Sequence, residues 1–194
     1  MSRKISGLSM IELLVSMILM SLVLLGLFNV ELFSGHHVLS SDRRAKVQNE
    51  VSRSIDYMSK CVQQSTGGAN NPPIKVYPSV GPQTGFQVRV DLNSPQTPSN
   101  LADDTWVSFS LDTNTLNATQ GGVTEALTAR IVAVFDANAM PGNPDKGFYV
   151  KITDQGTAVD IGLVGRYNPV AAADPDNPQI AMKTRIVSPN SSAQ

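Results

Sequence analysis

Charged and aromatic residues are both scarce in this chain of 194 residues, at 16% and 6%, and there is one cysteine. A lone Cys61 excludes an intrachain disulfide, so the stability of the fold must come from packing. Lysine and arginine total 15 against 16 acidic residues, which gives a formal net charge of -1. Because no excess of positive charge is present to attract a phosphate backbone, composition does not suggest nucleic acid as a partner.

The apolar residues are concentrated near the start of the chain. A short basic head, Arg3 and Lys4, is followed by a stretch at 13–28 that has no charged side chain. A helix over 8–30 would be about 35 Å long, enough to cross the roughly 30 Å hydrocarbon core of a bilayer. The sequence therefore predicts one transmembrane helix, with enough chain after it for one domain of ordinary size.

Glu12 lies almost at the start of this apolar segment. A charged side chain deep in hydrocarbon costs about 2.5 to 3.5 kcal/mol, so an anchor with no further role should avoid one. A cleaved secretory signal needs small neutral residues after the apolar run, where Glu31 and Phe33 occur instead. A plain signal anchor leaves Glu12 and Gly7 unexplained. The remaining plain alternative is that Glu12 lies idle in the headgroup region near Lys4.

The stretch KISGLSMIELLVSMILMSLVLLGLF at 4–28 resembles the amino terminus of type IV pilin-like proteins. In that family a short basic leader ends in glycine, the mature chain begins with an apolar residue, and its fifth residue is glutamate. Gly7, Leu8 and Glu12 occupy these positions, although Leu8 replaces the more usual Phe or Met. The resemblance implies that a prepilin peptidase cleaves between Gly7 and Leu8, and that the new amine of Leu8 is methylated.

This resemblance also implies a role for Glu12. Cleavage would leave a cationic amine on Leu8 about one helical turn from Glu12, and a carboxylate in lipid is tolerable when it pairs with a cation. In a filament, Glu12 of an incoming subunit would meet the Leu8 amine of a neighbour. The implied organisation is a leader at 1–7, a transmembrane and assembly helix at 8–34, and a globular head at 35–194.

A helical pattern continues after the membrane segment. The chain has no proline before Pro72, and the helix is predicted to end at about Gln64, before a stretch rich in Gly and Pro. Cys61 lies beside the apolar stripe of this helix and is expected to be a buried, small apolar residue. Apolar residues three or four positions apart predict the buried face, namely Val47, Val51, Ile55, Met58 and Val62.

The rest of the chain has the pattern of β-structure. The segment at 124–138 is ambiguous, because TEAL favours a helical turn and RIVAVFD favours a strand. Alternation of apolar and polar residues predicts strands at 85–92, 105–112 and 147–154, with a candidate last strand at 179–188. Solvated loops are predicted at 76–83, 93–100 and 169–179. The predicted fold class is α+β, a long N-terminal transmembrane and amphipathic helix packed on an antiparallel β-sheet head.

Three segments of the head are similar to J-type minor pseudopilins of type II secretion and to the related minor pilins of type IV pili. They are LTARIVAVFDAN, GFYVKITD and MKTRIVSPN, although the frequent Arg-Asn ending of that family appears here only as Pro189 and Asn190. The similarity implies a non-enzymatic subunit that contacts other minor and major pilin-like subunits near a filament tip and primes or caps assembly. The implied location is the bacterial inner membrane, single-pass with the head in the periplasm, and then a pilus or pseudopilus.

Two other functions stay open at this point. A major, shaft-forming pilin often has a proline within the apolar segment, which this chain lacks. A membrane-tethered periplasmic binding protein for DNA or a secreted substrate would need neither Gly7, Leu8 nor Glu12. Loss of the leader lowers the number of basic residues from 15 to 13, against 16 acidic residues, which argues against non-specific binding to DNA.

No metal, cofactor or catalytic group is expected from the sequence. His36 and His37 are adjacent and would point about 100° apart on a helix, so they make a poor chelate. Asp154, Asp160 and the segment 173–178 supply oxygen atoms of the kind that calcium prefers, but without the regular spacing of a calcium loop. The chain has neither a nucleophile-elbow pattern nor a phosphate-binding loop.

Overall fold

The computed structural model describes residues 9–68, 70–79, 83–92, 100–133, 135–136 and 147–189. It divides into two compact units, Met1–Ser41 and Asp42–Gln194. One helix, α1 (Met10–Gln63), contributes 54 residues and continues from the first unit into the second. Its end at Gln63 is within one residue of the predicted end.

In the first unit, every residue of α1 from Met10 to Leu39 is exposed. This part of the helix is long and apolar enough to cross a membrane. Its apolar side chains surround the helix on all sides, so no single face is reserved for packing within the chain. The predicted apolar N-terminal helix is therefore confirmed as a helix of membrane-spanning length.

In the second unit, α1 has one buried face. Val47, Val51, Met58 and Val62 are completely buried, and Ile55 is partly buried against the same core, which confirms the predicted stripe. Ser54 and Cys61 are also buried on the helix.

A five-stranded antiparallel sheet follows the helix in simple sequential order. Its strands are β1 (Ile74–Tyr77), β2 (Gly85–Val90), β3 (Thr105–Asp112), β4 (Thr115–Gln120) and β5 (Val123–Thr128). The turn between β4 and β5 is Gly121-Gly122, where φ is 56° and 83°. Glycine suits this turn because a two-residue hairpin of this type requires positive φ at both positions.

A second sheet of four strands completes the head. Its order is β6 (Phe135–Asp136), β7 (Phe148–Thr153), β8 (Ala158–Arg166) and β9 (Gln179–Val187). Strands β7, β8 and β9 are antiparallel, whereas the two-residue strand β6 is parallel to β7.

The helix and both sheets share one hydrophobic core. The ring centroids of Phe86 and Phe109 are 5.1 Å apart, and Phe148 from the second sheet lies 6.3 Å from Phe86. Helix α1 approaches β8 closely at Gly165, where an added Cβ would lie 2.6 Å from Cγ2 of Val51. The fold class is α+β, a long N-terminal helix packed on antiparallel sheets, as predicted.

Several details of the head differ from the sequence prediction. The head has two sheets where one was expected, and TEAL belongs to strand β5 instead of a helical turn. The loop predicted at 76–83 begins inside β1, whose pairing with β2 overrides its loop-like composition. The pattern did not predict β4 or β8, and most of the loop predicted at 93–100 lies outside the described residues.

Candidate functional site

Glu12 lies in the first turn of α1 and forms a reciprocal pair with Ser9. The backbone N–H of Ser9 donates to Oε2 of Glu12 at 2.9 Å, and the N–H of Glu12 donates to Oγ of Ser9 at 3.3 Å. This arrangement is a capping box, which provides hydrogen-bond partners for N–H groups that a helix start otherwise leaves unpaired. Gly7 and Leu8 lie outside the described residues, so cleavage and methylation there remain sequence predictions.

The capping box gives Glu12 a local structural role that the sequence analysis missed. The pattern was readable as Ser-x-x-Glu immediately before an apolar run. A negative charge is also favourable near the start of a helix because of the helix dipole. Glutamine can fill the same position in a capping box, so capping explains a polar side chain at position 12 but does not require its charge.

The other polar side chains in the apolar segment bond to the helix itself. Oγ of Ser16 donates to the carbonyl of Glu12 at 2.7 Å, and Oγ of Ser21 donates to the carbonyl of Met17 at 2.8 Å. The amide of Asn29 donates to the carbonyl of residue 25 at 3.0 Å. Such bonds satisfy polar groups without water, which suits a helix surrounded by lipid.

Three of the residues considered as metal ligands, His37, Asp154 and Asp160, make other contacts. His36 and His37 are exposed, and the ring of His37 contacts that of Phe33 edge-on at 4.3 Å between centroids. Asp154 and Asp160 both face Arg185, at 2.9 Å and 3.9 Å. Within the described parts of the chain, no group of three or more His, Cys, Asp or Glu residues is placed to hold a metal ion.

The buried side chain of Asn177 connects the segment 173–178 to the residues just before it. Its Nδ2 donates to the carbonyl oxygens of Asn168, Ala171 and Ala172, at 3.0, 3.3 and 2.8 Å. Its Oδ1 accepts the N–H of Asn168 at 2.6 Å. These four hydrogen bonds connect Asn177 to residues 168–172 through a neutral amide.

Cys61 is buried, as predicted. Burial raises the pKa of its thiol to about 11, because the charged thiolate is poorly solvated there. The thiol therefore stays protonated at neutral pH, where a reactive cysteine would be at least partly a thiolate.

An open groove of about 510 Å³ runs between α1 and β5. Its walls carry side chains of both charges, including Arg53 and Lys60 on the helix and Glu125 on the strand, with Tyr57 between them. Burial raises the pKa of Tyr57, and Cys61 and Glu125 raise it further. Neither His nor Cys lines this groove, and Oγ of its one serine, Ser54, donates to a backbone carbonyl at 2.8 Å.

Comparison of the chain with protein-family models, curated proteins and solved structures gave no match. A functional interpretation therefore depends on the chain's own residues. The most specific of these are the exposed apolar part of α1 and the carboxylate of Glu12 at its start.

Proposed function

We propose that this chain is a minor pilin or minor pseudopilin, a non-enzymatic subunit that primes or caps a type IV pilus or a type II secretion pseudopilus. It would be anchored once in the bacterial inner membrane, with its head in the periplasm, before it joins the filament. The observation that carries the proposal is one acidic residue, Glu12, in the first turn of an exposed helix of membrane-spanning length.

The exposure of this helix supports the proposal. The large apolar side chains between Met10 and Leu39 are 49% to 83% exposed, so the parts of the chain that the structure describes do not cover them. Lipid covers such a surface in a membrane, and other helices cover it in an assembly, where close packing supplies the attraction. When a subunit leaves the membrane and joins a filament, the helices of other subunits replace lipid around this surface.

Glu12 would make this exchange selective. The capping box uses Oε2 of Glu12, and no bond to Oε1 is seen within the described residues. Cleavage after Gly7 would create a cationic amine on Leu8 of each mature subunit. A neighbour's Leu8 amine would then compensate the Glu12 carboxylate, which is costly to leave unpaired at the edge of the hydrocarbon. The ion pair would set the depth at which an incoming subunit docks.

Substitutions at Ser9 and Glu12 separate the charge from the helix cap. Glu12→Gln removes the charge but keeps the capping pattern, whereas Ser9→Ala keeps the charge and weakens the cap by about 0.5 to 2 kcal/mol. Each variant replaces the native chain in its own cells, with filaments counted after shearing and processing followed by gel shift. We expect Glu12→Gln and Glu12→Ala to be inserted and cleaved normally, with at least a tenfold loss of filaments or secretion.

The Ser9→Ala variant is the matched control and should retain most of the wild-type assembly. Wild-type filament numbers with Glu12→Gln fully incorporated would contradict the proposal and leave Glu12 as a helix cap. Complete loss of the filament shaft would instead indicate a major pilin. Normal filaments together with a defect in substrate capture would indicate the tethered binding protein.

The position of cleavage gives an independent test. We expect protein extracted from membranes to begin at Leu8, with one methyl group on its amine. Intact-mass measurement and amino-terminal sequencing would detect both changes. Retention of Met1 in cells that process other pilins would contradict the proposal.

A further inference from the structure

Strand β5 forms one edge of the five-stranded sheet, because β4 is the only strand that pairs with it among the described residues. The two-glycine turn before β5 makes Gln120 and Val123 a hydrogen-bonded pair, and such pairs alternate with non-bonded ones along an antiparallel ladder. The backbone N–H and C=O groups of Thr124 and Ala126 therefore point away from β4. Within the described parts of the chain, these groups make no hydrogen bond to another element.

The edge of β5 lacks the features that keep other sheet edges from pairing. Natural proteins protect an edge by making the strand short or by placing charged residues, above all lysine, along it. Strand β1 carries Lys75, β6 has only two residues, and β9 carries Lys183 and Arg185. Strand β5 has six residues and no lysine or proline, and its first four residues are exposed. Among the described strands, β5 is therefore the edge that most readily accepts a further strand.

Glu125 is the one charged side chain on this edge. It lies directly opposite Ala118 of β4, which is buried, so Glu125 shares the face of the sheet that contacts the core. On that face it lines the groove between α1 and β5 together with Tyr57. The ion pairs formed by the described residues do not include Glu125. A strand added to β5 would therefore meet a negative charge that the head does not compensate.

An apolar depression lies beside Glu125. Its volume is about 380 Å³, and Tyr57, Leu92 and Val123 are among the residues that line it. These three side chains are 36%, 54% and 72% exposed, so large apolar groups are gathered here at the surface. Val123 is two residues before Glu125, and the two side chains therefore point to the same face of the sheet. An apolar side chain that lay opposite Val123 would cover part of this exposed surface.

A second copy of this chain fits the edge poorly. If an antiparallel copy of β5 used the open groups of both Thr124 and Ala126, Glu125 would lie directly opposite the Glu125 of that copy. The two glutamates would form a non-hydrogen-bonded pair, in which the Cα atoms are only about 4.5 Å apart. Like charges placed directly opposite each other are destabilising. The edge instead favours a segment that has a positive charge at this position.

We propose that β5 is a docking edge for an extended segment of another protein, which adds an antiparallel strand to the five-stranded sheet. The segment has lysine or arginine opposite Glu125. Two residues later it has an apolar side chain, which lies opposite Val123 and contacts the depression. This inference goes beyond the proposed function and does not depend on it, because strand addition requires only the open edge of the head.

A peptide that copies residues 123–128, with lysine in place of Glu125, is a suitable probe. Its lysine is followed by alanine and leucine, so it has the proposed pattern. The peptide carries a dye at its amino terminus, and fluorescence polarisation measures its binding to the full chain in detergent micelles. We expect saturable binding that is about tenfold tighter than that of the same peptide with the native glutamate. In the Glu125→Lys chain, the order of the two peptides should reverse.

Methylation of the peptide backbone separates strand addition from simple charge attraction. Methyl groups on the peptide nitrogens that correspond to positions 124 and 126 remove the two donors that face β5, and should weaken binding at least tenfold. Methyl groups on the nitrogens that correspond to 125 and 127 leave those donors intact. This second peptide is the matched control and should bind at least tenfold more tightly than the first.

Three results would overturn the proposal. Equal or tighter binding of the glutamate peptide to the wild-type chain would show that Glu125 does not select a basic partner, and tighter binding would indicate a second copy of the chain. The same affinity for both methylated peptides would show that no strand is added to β5. If the lysine peptide shows no saturable binding, the edge does not accept a strand of this chemistry.

Discussion

The two parts of α1 form one helix but are stabilised by different surroundings. Leu25, in the first part, is 60% exposed, whereas Val51, in the second, is completely buried. The first part is apolar on every side, and the second is apolar only on the face that contacts the sheets. Secondary structure alone therefore does not distinguish a helix segment that packs in the core from one whose apolar side chains face outward.

The distribution of apolar residues around the helix makes this distinction. A stripe one face wide implies a partner within the chain, whereas a complete apolar surface implies lipid or other subunits. The change occurs at 40–42, where the first partly buried residue appears and the second unit begins. The exposed leucines and valines before this point form an apolar surface of membrane-spanning length.

The largest effect is expected when an aspartate is introduced into the exposed part of α1 in one variant and into its buried part in another. Val51→Asp should lower the free energy of unfolding of the head by about 4 kcal/mol or more, because it removes a buried apolar group and buries a charge. Leu25→Asp should change that free energy by less than about 0.5 kcal/mol but hinder membrane insertion by about 3 kcal/mol. Chemical unfolding and membrane fractionation measure the two quantities.

The comparison would fail if the two variants gave the same result. A stable head in Val51→Asp would mean that the stripe is not part of the core. Unfolding of the head in Leu25→Asp would mean that the exposed part of α1 supports it. Val51→Ala is the matched control, with an expected loss of about 1 to 3 kcal/mol.

The parts of the head that follow a simple period were predictable from the sequence. The stripe that begins at Val47 has a helical period, and the alternation at 105–112 matches β3. Strand β8 escaped prediction because most of its residues are buried on both faces, so apolar and polar residues do not alternate. A tertiary contact explains a glycine in this strand. The ring of Tyr149 lies over Gly162 and would collide with any side chain at that position.

The candidate site was predictable in part. The position of Glu12 is readable from the sequence, and so is its spacing from Ser9, although the capping box was recognised only from the hydrogen bonds. The role of Asn177 was not predictable, because its amide bonds to carbonyls that only the folded loop brings together. The structure of TEAL was not predictable either, because pairing with β4 makes it a strand despite its helical propensity.

A smaller effect is expected from the thiol of Cys61 in the buried part of α1. The pKa of this thiol is raised by burial from 9.0 to about 11 in the folded head. Between these values the unfolded chain has lost a proton that the folded chain keeps, so stability falls as the pH rises. Between about pH 8 and pH 10, the free energy of unfolding of the wild type should therefore fall by about 1.4 kcal/mol more than that of Cys61→Ala.

Urea unfolding of both proteins at several pH values measures this difference. The stabilisation from the buried, protonated thiol is fully present below about pH 9 and is lost as the pH approaches 11. Plots of the free energy of unfolding against pH should therefore be parallel for the two proteins at neutral pH. Parallel curves up to pH 10 would contradict the prediction. They would mean that water reaches the thiol, and that the helix face at Cys61 is less well buried than the structure has it.

The smallest effect is expected from removal of the apolar segment. A chain of residues 35–194 should fold and remain soluble, because every residue of the core cluster lies at or beyond Val47. Its free energy of unfolding should be within about 0.5 kcal/mol of that of the full chain in detergent, as measured by urea unfolding. Aggregation without a cooperative transition would mean that the exposed part of α1 stabilises the head after all. A cooperative transition would assign the stability of the head to the buried face of α1 and the two sheets, and would show that the head does not need the exposed part of the helix in order to fold.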